Sequence, residues 1–199
     1  MRKAVIGLGN PGARYERTRH NAGFFVVDLL AERAGVVVAQ RRHDALWAEI
    51  RVADSPLLLV KPQAFMNRSG LAVAAFAAER GLEPTDVLVV HDDLDLPLAR
   101  IKLKRGGGTA GHRGLESIVE QLGTRDFPRL RIGIGRPPIG QEVVDFVLCP
   151  FPESELVSLK SALAASVSGV EAWCAVGIEA AMNVVNGAKA EEPGSVVGS

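Results

Sequence analysis

The sequence has few cysteines and no excess of charge of either sign. Cys149 and Cys174 are its only cysteines, and their spacing matches no metal-binding or redox motif, so we expect two ordinary buried thiols. Basic and acidic side chains number 23 each, which gives a formal net charge of zero. Attraction of nucleic acid by the field of the whole molecule is therefore disfavoured, and any such binding must depend on a local patch.

The sequence also lacks a long hydrophobic run near its start. The apolar residues that follow residues 1–3 are interrupted by Gly7 and Gly9, so the run is too short for a signal peptide core or a membrane span. We expect a cytoplasmic protein that does not enter a membrane. With 47% hydrophobic side chains, the chain can bury a full core. We expect a single domain over residues 1–187 and a flexible tail over residues 188–199.

Apolar runs of strand type alternate with helical patterns, which predicts an α/β fold with flanking helices. The runs at residues 57–60 and 87–90 are apolar without alternation, as expected of strands covered on both faces. A short turn at residues 54–56 predicts an antiparallel pair, and hence a mixed sheet. The predicted strands are residues 3–8, 46–52, 56–61, 86–91, 99–103 and 129–134; the predicted helices are residues 22–34, 69–80 and 114–122, with a C-terminal helical segment from Pro150 to Gly187 that Gly169 or Gly177 divides.

The segment at residues 7–12 matches the GxGxxG pattern of dinucleotide-binding turns, so an NAD-dependent oxidoreductase is one alternative. Such a turn opens directly into an apolar helix, whereas residues 13–20 carry no apolar stripe. The acidic residue required at the end of a second strand is missing, because Asp28 falls within a helical pattern. Pro11 instead favours an extended backbone at Asn10, whose amide could donate to a substrate carbonyl or close a local turn.

His20 lies among polar residues, and a neutral imidazole at the edge of an α/β sheet is suited to take a proton from water. The strand predicted at residues 86–91 runs into Asp92, Asp93 and Asp95, and such strand ends gather around the ligand crevice. Asp92 is the best candidate to orient His20 by accepting one ring proton. We expect Asp93 and Asp95 to face solvent or to cap a turn.

Two other chemistries fit the sequence less well. A divalent metal would require more oxygen ligands than the acidic segment offers, and His91 lacks a partner at zinc spacing. A serine acyl enzyme would require a Gly-x-Ser-x-Gly elbow after a strand, whereas Ser69 and Gly70 lie where a helix should start. We therefore expect no metal and no cofactor, with water activated directly by His20.

Several motifs, taken in order, closely resemble those of bacterial peptidyl-tRNA hydrolases. They are GLGNPG, a following Tyr15, TRHNAGF, KPQAFMNRSG, HDDLDLP, a GGG-x-x-GH-x-GL segment and LRIGIGRP, and together they extend over roughly residues 3–187. The resemblance implies a single α/β domain with a mixed twisted sheet, usually monomeric. It also implies that the partner is peptidyl-tRNA, and that the reaction is metal-independent cleavage of the ester between a peptide and the 3′ end of tRNA.

The same resemblance implies a role for each matching residue. His20 resembles the general base, Asp92 the carboxylate that holds it, and Asn10 the residue that recognises the peptide-bearing substrate. Because the net charge is zero, we expect only about two to four contacts with tRNA phosphates. The positions that match contacts with the peptide, the terminal adenosine or the tRNA phosphates are Tyr15, Phe65, Met66, Asn67, Lys104, His112, Arg113 and Arg131.

One residue departs from the family pattern, since well-known bacterial members carry asparagine where this chain has Arg113. A guanidinium donates hydrogen bonds but accepts none, so it could instead meet a phosphate or a peptide carbonyl. The family also includes a chloroplast intron-splicing factor of the same fold, so a non-catalytic RNA-binding protein is a second alternative. Retention of His20, Asp92, Asn10 and Asn67 favours the hydrolase.

Overall fold

The computed structural model describes residues 2–187, and the tail predicted over residues 188–199 lies outside the described residues. One seven-stranded mixed sheet organises this part of the chain, in the order β2-β3-β4-β1-β5-β7-β6. The four central strands β4, β1, β5 and β7 run parallel to one another, and antiparallel strands extend both edges of the sheet. The strands are β1 (Lys3–Gly7), β2 (Gln40–Arg42), β3 (Ala45–Val52), β4 (Ser55–Pro62), β5 (Val87–Asp93), β6 (Ile101–Lys104) and β7 (Arg129–Gly133).

Helices cover both faces of the sheet, which is why the central strands are apolar without alternation. Val5 of β1 belongs to the core under α1 and α5, whereas Ala4 and Ile6 belong to the core under α2 and α3. A smaller apolar cluster forms around α4. The helices are α1 (Ala22–Arg33), α2 (Ser69–Arg80), α3 (Arg113–Leu122), α4 (Val143–Val147) and α5 (Leu156–Gly187).

The α/β class, the mixed sheet and the antiparallel pair β3–β4 are confirmed. The turn of that pair is at Ala53 and Asp54, both with positive φ, because Ser55 and Pro56 already pair within β4; the turn predicted at residues 54–56 was therefore wrong by one residue. Within α5 the break lies at Gly177, which has φ 78° and ψ 174°.

Two short elements were not predicted, for different reasons. Strand β2 consists of three exposed polar residues, so it carries no apolar signal. Helix α4 has only five residues, which is too few to show a helical period. Both elements depend on neighbours that are distant in sequence.

Helix α5 and the turn before it, Glu153–Gly187, are long and apolar enough by composition for a membrane span, with a mean hydropathy of 1.4. The buried face of the helix packs on the sheet through Val167, Val170 and Trp173, which are all nearly inaccessible. The core helix of a soluble protein meets the same criteria. Packing on the sheet therefore accounts for the apolar residues on the buried face of the helix.

Both cysteines are free thiols, as expected, but they are half-buried and not fully buried. Burial raises the pKa of the Cys174 thiol to about 11, and the nearby Glu171 carboxylate acts in the same direction. A thiol with so high a pKa has little thiolate at neutral pH, so Cys174 is unreactive.

Candidate active site

A cleft of about 540 Å³ lies at the carboxyl ends of the central strands, where loops from several elements meet. The loops after β1, β4 and β5 and the residues before α3 contribute most of its polar side chains, and α4 contributes apolar ones. The predicted site residues that line the cleft are Asn10, His20, Phe65, Met66, Asn67, Asp92, His112 and Arg113.

The structure brings His20 and Asp92 into direct contact. His20 belongs to a 3-10 turn, Arg19–Asn21, immediately before α1, and its Nδ1 lies 2.9 Å from both carboxylate oxygens of Asp92 at the end of β5. A carboxylate accepts hydrogen bonds, so Nδ1 donates and the lone pair is on Nε2. His20 lines the cleft with 13% of its side chain exposed, so this nitrogen is available to a water molecule.

Opposing effects act on the pKa of the two groups. For His20, burial lowers the pKa and the Asp92 carboxylate raises it; Arg113 lowers it further, and the pKa is raised on balance. For Asp92, burial raises the pKa, but His20 and His112 outweigh burial and hold the pKa well below its usual range. Asp92 is therefore ionised at neutral pH, and its charge makes the His20 imidazole a stronger base that stays protonated to a higher pH.

Two further histidines surround Asp92. Nε2 of His112 lies 3.1 Å from Oδ1 of Asp92, while its Nδ1 caps the first turn of α3. Nδ1 of His91 donates to the backbone oxygen of Asp92 at 2.7 Å. Burial lowers the pKa of His91 to about 3, so this ring is neutral in the folded protein.

Asn10 is held by hydrogen bonds on its backbone and on its side chain. The Asn21 side chain accepts the N–H of Asn10 at 2.8 Å and donates to its carbonyl oxygen at 3.0 Å. Oδ1 of Asn10 accepts the backbone N–H of Met66 at 2.9 Å, which fixes the rotation of the amide. The NH₂ group therefore faces the cleft with donors to spare, and the alternative of a purely local turn loses its support.

The glycines at residues 7–12 have a packing explanation. A Cβ at Gly7 would lie 2.4 Å from the backbone oxygen of Gly23, and a Cβ at Gly9 would lie 2.7 Å from the ring of Phe24. Both glycines thus allow α1 to approach the end of β1, and they need no dinucleotide to explain them. The GxGxxG match therefore gives no support to an oxidoreductase.

Arg19 anchors the turn that carries His20, and sequence reasoning did not identify it. Its buried guanidinium donates to the backbone oxygen of Pro150 at 2.7 Å and to Glu155 at 3.0 Å, and it stacks on the ring of Phe146. These partners lie more than 100 positions away in sequence. The only sequence signal near Arg19 was the Arg-His-Asn motif, which indicated His20 as a candidate base and gave no role for Arg19.

Of the two alternatives expected for Asp93, the structure supports the turn cap and not exposure to solvent. Its carboxylate is 9% exposed and accepts from Nε of Arg131 at 2.6 Å, because the parallel pairing of β5 with β7 brings the two side chains together. The expected turn cap is present, since Asp93 also accepts the backbone N–H of Asp95 at 2.8 Å. Asp95 is exposed and forms an ion pair with Arg136.

Three predicted substrate contacts lie outside the cleft lining: Tyr15, Lys104 and Arg131. Tyr15 is half-buried in the turn after Gly12, and its carbonyl oxygen accepts from Thr18. Lys104 lies on the edge strand β6, beside Arg129 in the pairing with β7. Contacts of these residues with the substrate require a ligand that extends beyond the cleft.

The remaining predicted residues line the cleft and differ in how exposed their side chains are. Phe65 is 60% exposed, and Asn67 is exposed in the 3-10 turn Met66–Arg68, whereas Met66 is buried. The guanidinium of Arg113 makes no hydrogen bond or ion pair with residues 2–187. The exposed Val143 and Val144 of α4 also line the cleft, and they were not recognised from the sequence because so short a helix gave no signal.

A metal ion is not needed to explain the cluster of His20, Asp92 and His112, whose potential ligand atoms lie within 4.8 Å of one another. The hydrogen-bond geometry assigns each imidazole a proton on the nitrogen that faces Asp92. A metal ion would require those nitrogens to be unprotonated, and Nδ1 of His112 would then have to give up the α3 cap. The donor set therefore fits a hydrogen-bonded triad better than a metal site.

Comparisons with known proteins agree on one family. The family model described as peptidyl-tRNA hydrolase matches residues 4–193. The peptidyl-tRNA hydrolase of Moorella thermoacetica is 56% identical to this chain, and the match covers 76% of this chain and 80% of that protein. The peptidyl-tRNA hydrolase of Syntrophomonas wolfei is 47% identical, and the match covers 92% of this chain and 100% of that protein. The crystal structure of peptidyl-tRNA hydrolase from Acinetobacter baumannii superposes with a TM-score of 0.88 at 36% identity and covers 94% of this chain and 95% of that chain.

Proposed function

This chain belongs to the peptidyl-tRNA hydrolase family, and from that premise we propose that His20 and Asp92 form its hydrolytic pair. The reaction is hydrolysis of the ester between a peptide and the 3′ end of tRNA, which releases tRNA for reuse in translation. One observation carries the mechanism: His20 donates Nδ1–H to a buried carboxylate while its Nε2 faces the cleft. This arrangement suits a general base that acts on water.

In the first step, Nε2 of His20 takes a proton from a water molecule, whose oxygen attacks the ester carbonyl carbon. A tetrahedral intermediate forms, and the imidazolium is stabilised by the ionised Asp92. In the second step, the intermediate collapses, the bond to the tRNA 3′ oxygen breaks, and the imidazolium returns the proton to that oxygen. The products are a peptide with a free carboxyl group and a tRNA with a free 3′ hydroxyl.

The developing oxyanion requires donors that are already in place. The NH₂ group of Asn10 meets this requirement, because Met66 and Asn21 fix its position and it need not reorient during the reaction. Asn67 is a second candidate from the exposed turn after β4. We assign the oxyanion to Asn10 or Asn67.

The walls of the cleft support a proposal for where the two parts of the substrate bind. Phe65 and the exposed valines of α4 offer apolar surface for the peptide and for the terminal base. Arg113 offers a guanidinium that can meet a phosphate or a peptide carbonyl. Lys104 and Arg131 lie outside the cleft, where we place contacts with tRNA phosphates, and Tyr15 lies outside it in the loop after β1.

We propose that the protein acts in the cytoplasm as a monomer and without a metal ion. The hydrogen-bond assignments of His20 and His112 support metal independence, since both nitrogens that face Asp92 carry protons. The net charge of zero supports binding of tRNA through a local patch.

The proposal is tested by incubating the purified protein with an N-acetylated aminoacyl-tRNA and with its unacetylated counterpart, each with and without a chelator. We expect selective cleavage of the acetylated substrate that the chelator does not reduce. Loss of cleavage in chelator would contradict the metal-free mechanism.

The variant His20→Ala separates chemistry from binding. Removal of a general base lowers turnover by about 10²- to 10⁴-fold, while folding and tRNA binding should persist. Unchanged turnover would refute the assignment of His20. Binding of tRNA without cleavage by the unmodified protein would instead support the non-catalytic RNA-binding alternative.

A further inference from the structure

The ring of His112 has a defined tautomer, because the first turn of α3 occupies one of its two nitrogens. Nδ1 lies 3.2 Å from the backbone nitrogen of Gly114 and 3.4 Å from that of Leu115. A backbone N–H can only donate, so Nδ1 is the acceptor and the ring proton is on Nε2. Nε2 lies 3.1 Å from Oδ1 of Asp92 and therefore donates to it.

Asp92 depends on this donor for its orientation. Its carboxylate is buried, and within residues 2–187 its side-chain hydrogen bonds are with His20 and His112. His20 approaches the two oxygens at the same distance of 2.9 Å, so it does not by itself fix the rotation of the carboxylate. His112 contacts Oδ1 alone and thereby selects one rotation.

His112 leaves no ring nitrogen free for the substrate. Both nitrogens bind within the protein, and only 9% of the side chain is exposed. The ring centroid lies 5.0 Å from that of His20 and 5.0 Å from that of His91, so His112 fills the space between the base and the core. A contact with the substrate, which the sequence led us to expect, is therefore a poor account of this residue.

We propose that His112 is a positioning residue of the hydrolytic pair, which holds Asp92 in the orientation that receives the Nδ1 proton of His20. This inference rests on the proposed function, because it needs His20 to be the base. The charged or titratable groups that face the pair are His91 from β5, Arg113 from α3 and His112 itself. Within residues 2–187, the Asp92 carboxylate accepts hydrogen bonds from the side chains of His20 and His112. Because His20 is the proposed base, His112 is the partner that can orient the carboxylate.

The variant His112→Asn separates the two contacts of this residue. Asparagine is among the best N-cap residues, so its side-chain oxygen can keep the cap of α3, whereas its shorter side chain does not reach Asp92. We expect Tm and tRNA binding close to wild type and a fall in kcat of about 10- to 100-fold, the range typical of partners that orient a functional side chain. The variant His112→Ala loses the cap as well, so it should also lower Tm.

The pH profile distinguishes positioning from a merely structural role. In His112→Asn the acid limb of kcat/KM should move to higher pH, because a carboxylate with one donor fewer holds the His20 proton more strongly. An NMR titration of the His20 ring in the same variant should show the same upward displacement without substrate. These two readouts do not depend on how well the variant binds tRNA.

Two outcomes would overturn the inference. A raised KM with unchanged kcat and pH profile in His112→Asn would indicate a substrate contact. Wild-type kinetics throughout would show that Asp92 needs no second donor. The variant His20→Ala is measured in parallel. If His20→Ala retains turnover, the proposed function fails. If His20→Ala loses turnover but His112→Asn keeps it, only the positioning role of His112 fails.

Discussion

Nδ1 of His20 lies 2.9 Å from both carboxylate oxygens of Asp92, and this contact joins the turn before α1 to the end of β5. It determines which ring nitrogen keeps a free lone pair and is our proposed base, because the nitrogen that faces an ionised carboxylate must carry the proton. It also raises the pKa of His20, against burial and against the charge of Arg113. If His20 is the base, as we propose, the pH dependence of hydrolysis should therefore report on this contact.

The variant Asp92→Asn should shift the acid limb of activity to lower pH. In the native protein, burial and Arg113 lower the pKa of His20, and Asp92 overcomes them. Without the carboxylate only the lowering effects remain, so the base stays neutral to a lower pH. The amide also fails to stabilise the imidazolium or to select its tautomer, so kcat should fall by about 10²- to 10⁴-fold.

This prediction is checked by kcat/KM profiles between about pH 5 and pH 9, a window that contains the unperturbed histidine pKa of about 6.5. The matched control is Asp28→Asn on α1, because its exposed carboxylate pairs with Lys61 and neither residue lines the cleft. An acid limb of Asp92→Asn that coincides with that of the control would speak against the pairing.

The variant Arg113→Asn should move the acid limb in the opposite direction. The positive charge of Arg113 lowers the pKa of His20, so its removal lets that pKa rise, and the base is protonated over a wider acidic range. The variant Arg113→Lys keeps the charge but loses the planar fork, so its acid limb should stay in place while KM increases. Identical profiles for the two variants would contradict an electrostatic effect of Arg113.

The variant Asn10→Asp tests the proposed oxyanion donor with little change of shape. A carboxylate retains an oxygen that accepts the Met66 N–H, but it lacks the NH₂ group that faces the cleft. We expect kcat to fall by about 10²- to 10³-fold, as for the loss of one oxyanion donor. We also expect a lower Tm, because Asn10 is buried and a carboxylate in its place carries an unpaired charge. A fall in Tm with unchanged kcat would assign Asn10 a structural role only.

Binding of tRNA should depend weakly on salt, and Lys104 should contribute to the slope. Each phosphate contact adds about 0.7 to 0.9 to the slope of log affinity against log salt, so two to four contacts give a shallow dependence. The variant Lys104→Gln should reduce the magnitude of this slope by about 0.7 to 0.9, the share of one phosphate contact. Its Tm should not change, since Lys104 lies on an edge strand. A wild-type slope steeper than about −6 would reject the local patch.

The variant Arg131→Gln should behave differently from Lys104→Gln. Its guanidinium holds the buried carboxylate of Asp93 at 2.6 Å, and loss of that partner leaves an uncompensated charge. Removal of one member of a buried pair costs about 3–5 kcal/mol, although the partial exposure of Arg131 reduces this cost. We therefore expect a lower Tm together with a reduced salt slope; an unchanged Tm would show that the pair is dispensable.

The sequence predicted the sheet and the centre of the site because both depend on local patterns. The apolar runs of β1, β4 and β5 identify buried strands, and the position of Asp92 after β5 follows from the rule that ligands bind at strand ends. The turn residue His20 was found from its polar neighbours and from the resemblance to a known family. Their contact in the structure agrees with both arguments.

The features that the sequence did not predict depend on contacts between distant parts of the chain. The pairing of Arg19 with Glu155 and that of Asp93 with Arg131 follow from the packing of α5 and from strand register, which side-chain chemistry alone does not encode. The capping role of His112 was also missed, because Ser, Thr, Asp and Asn are the usual N-cap residues.

The variant Gly70→Ala should destabilise the protein through the contact between α2 and α3. A Cβ at Gly70 would lie 2.1 Å from the backbone oxygen of Ser117, whose hydroxyl also accepts the Gly70 N–H at 3.0 Å. Backbone atoms cannot move aside as a flexible side chain can, so the helices must separate. Overpacking of this kind costs about 1–3 kcal/mol, or roughly 2–12 °C in Tm for a chain of this size.

The matched control is Gly108→Ala, because a Cβ at Gly108 meets nothing within 4 Å. Its Tm should stay within about 2 °C of wild type, since surface substitutions usually change stability by less than about 0.5 kcal/mol. Gly70 lies two residues after the turn Met66–Arg68, so separation of the helices should also displace Asn67 and lower kcat. Equal Tm values for Gly70→Ala and Gly108→Ala would show that α2 and α3 have room to accommodate the methyl group, and the close approach would then not explain the glycine.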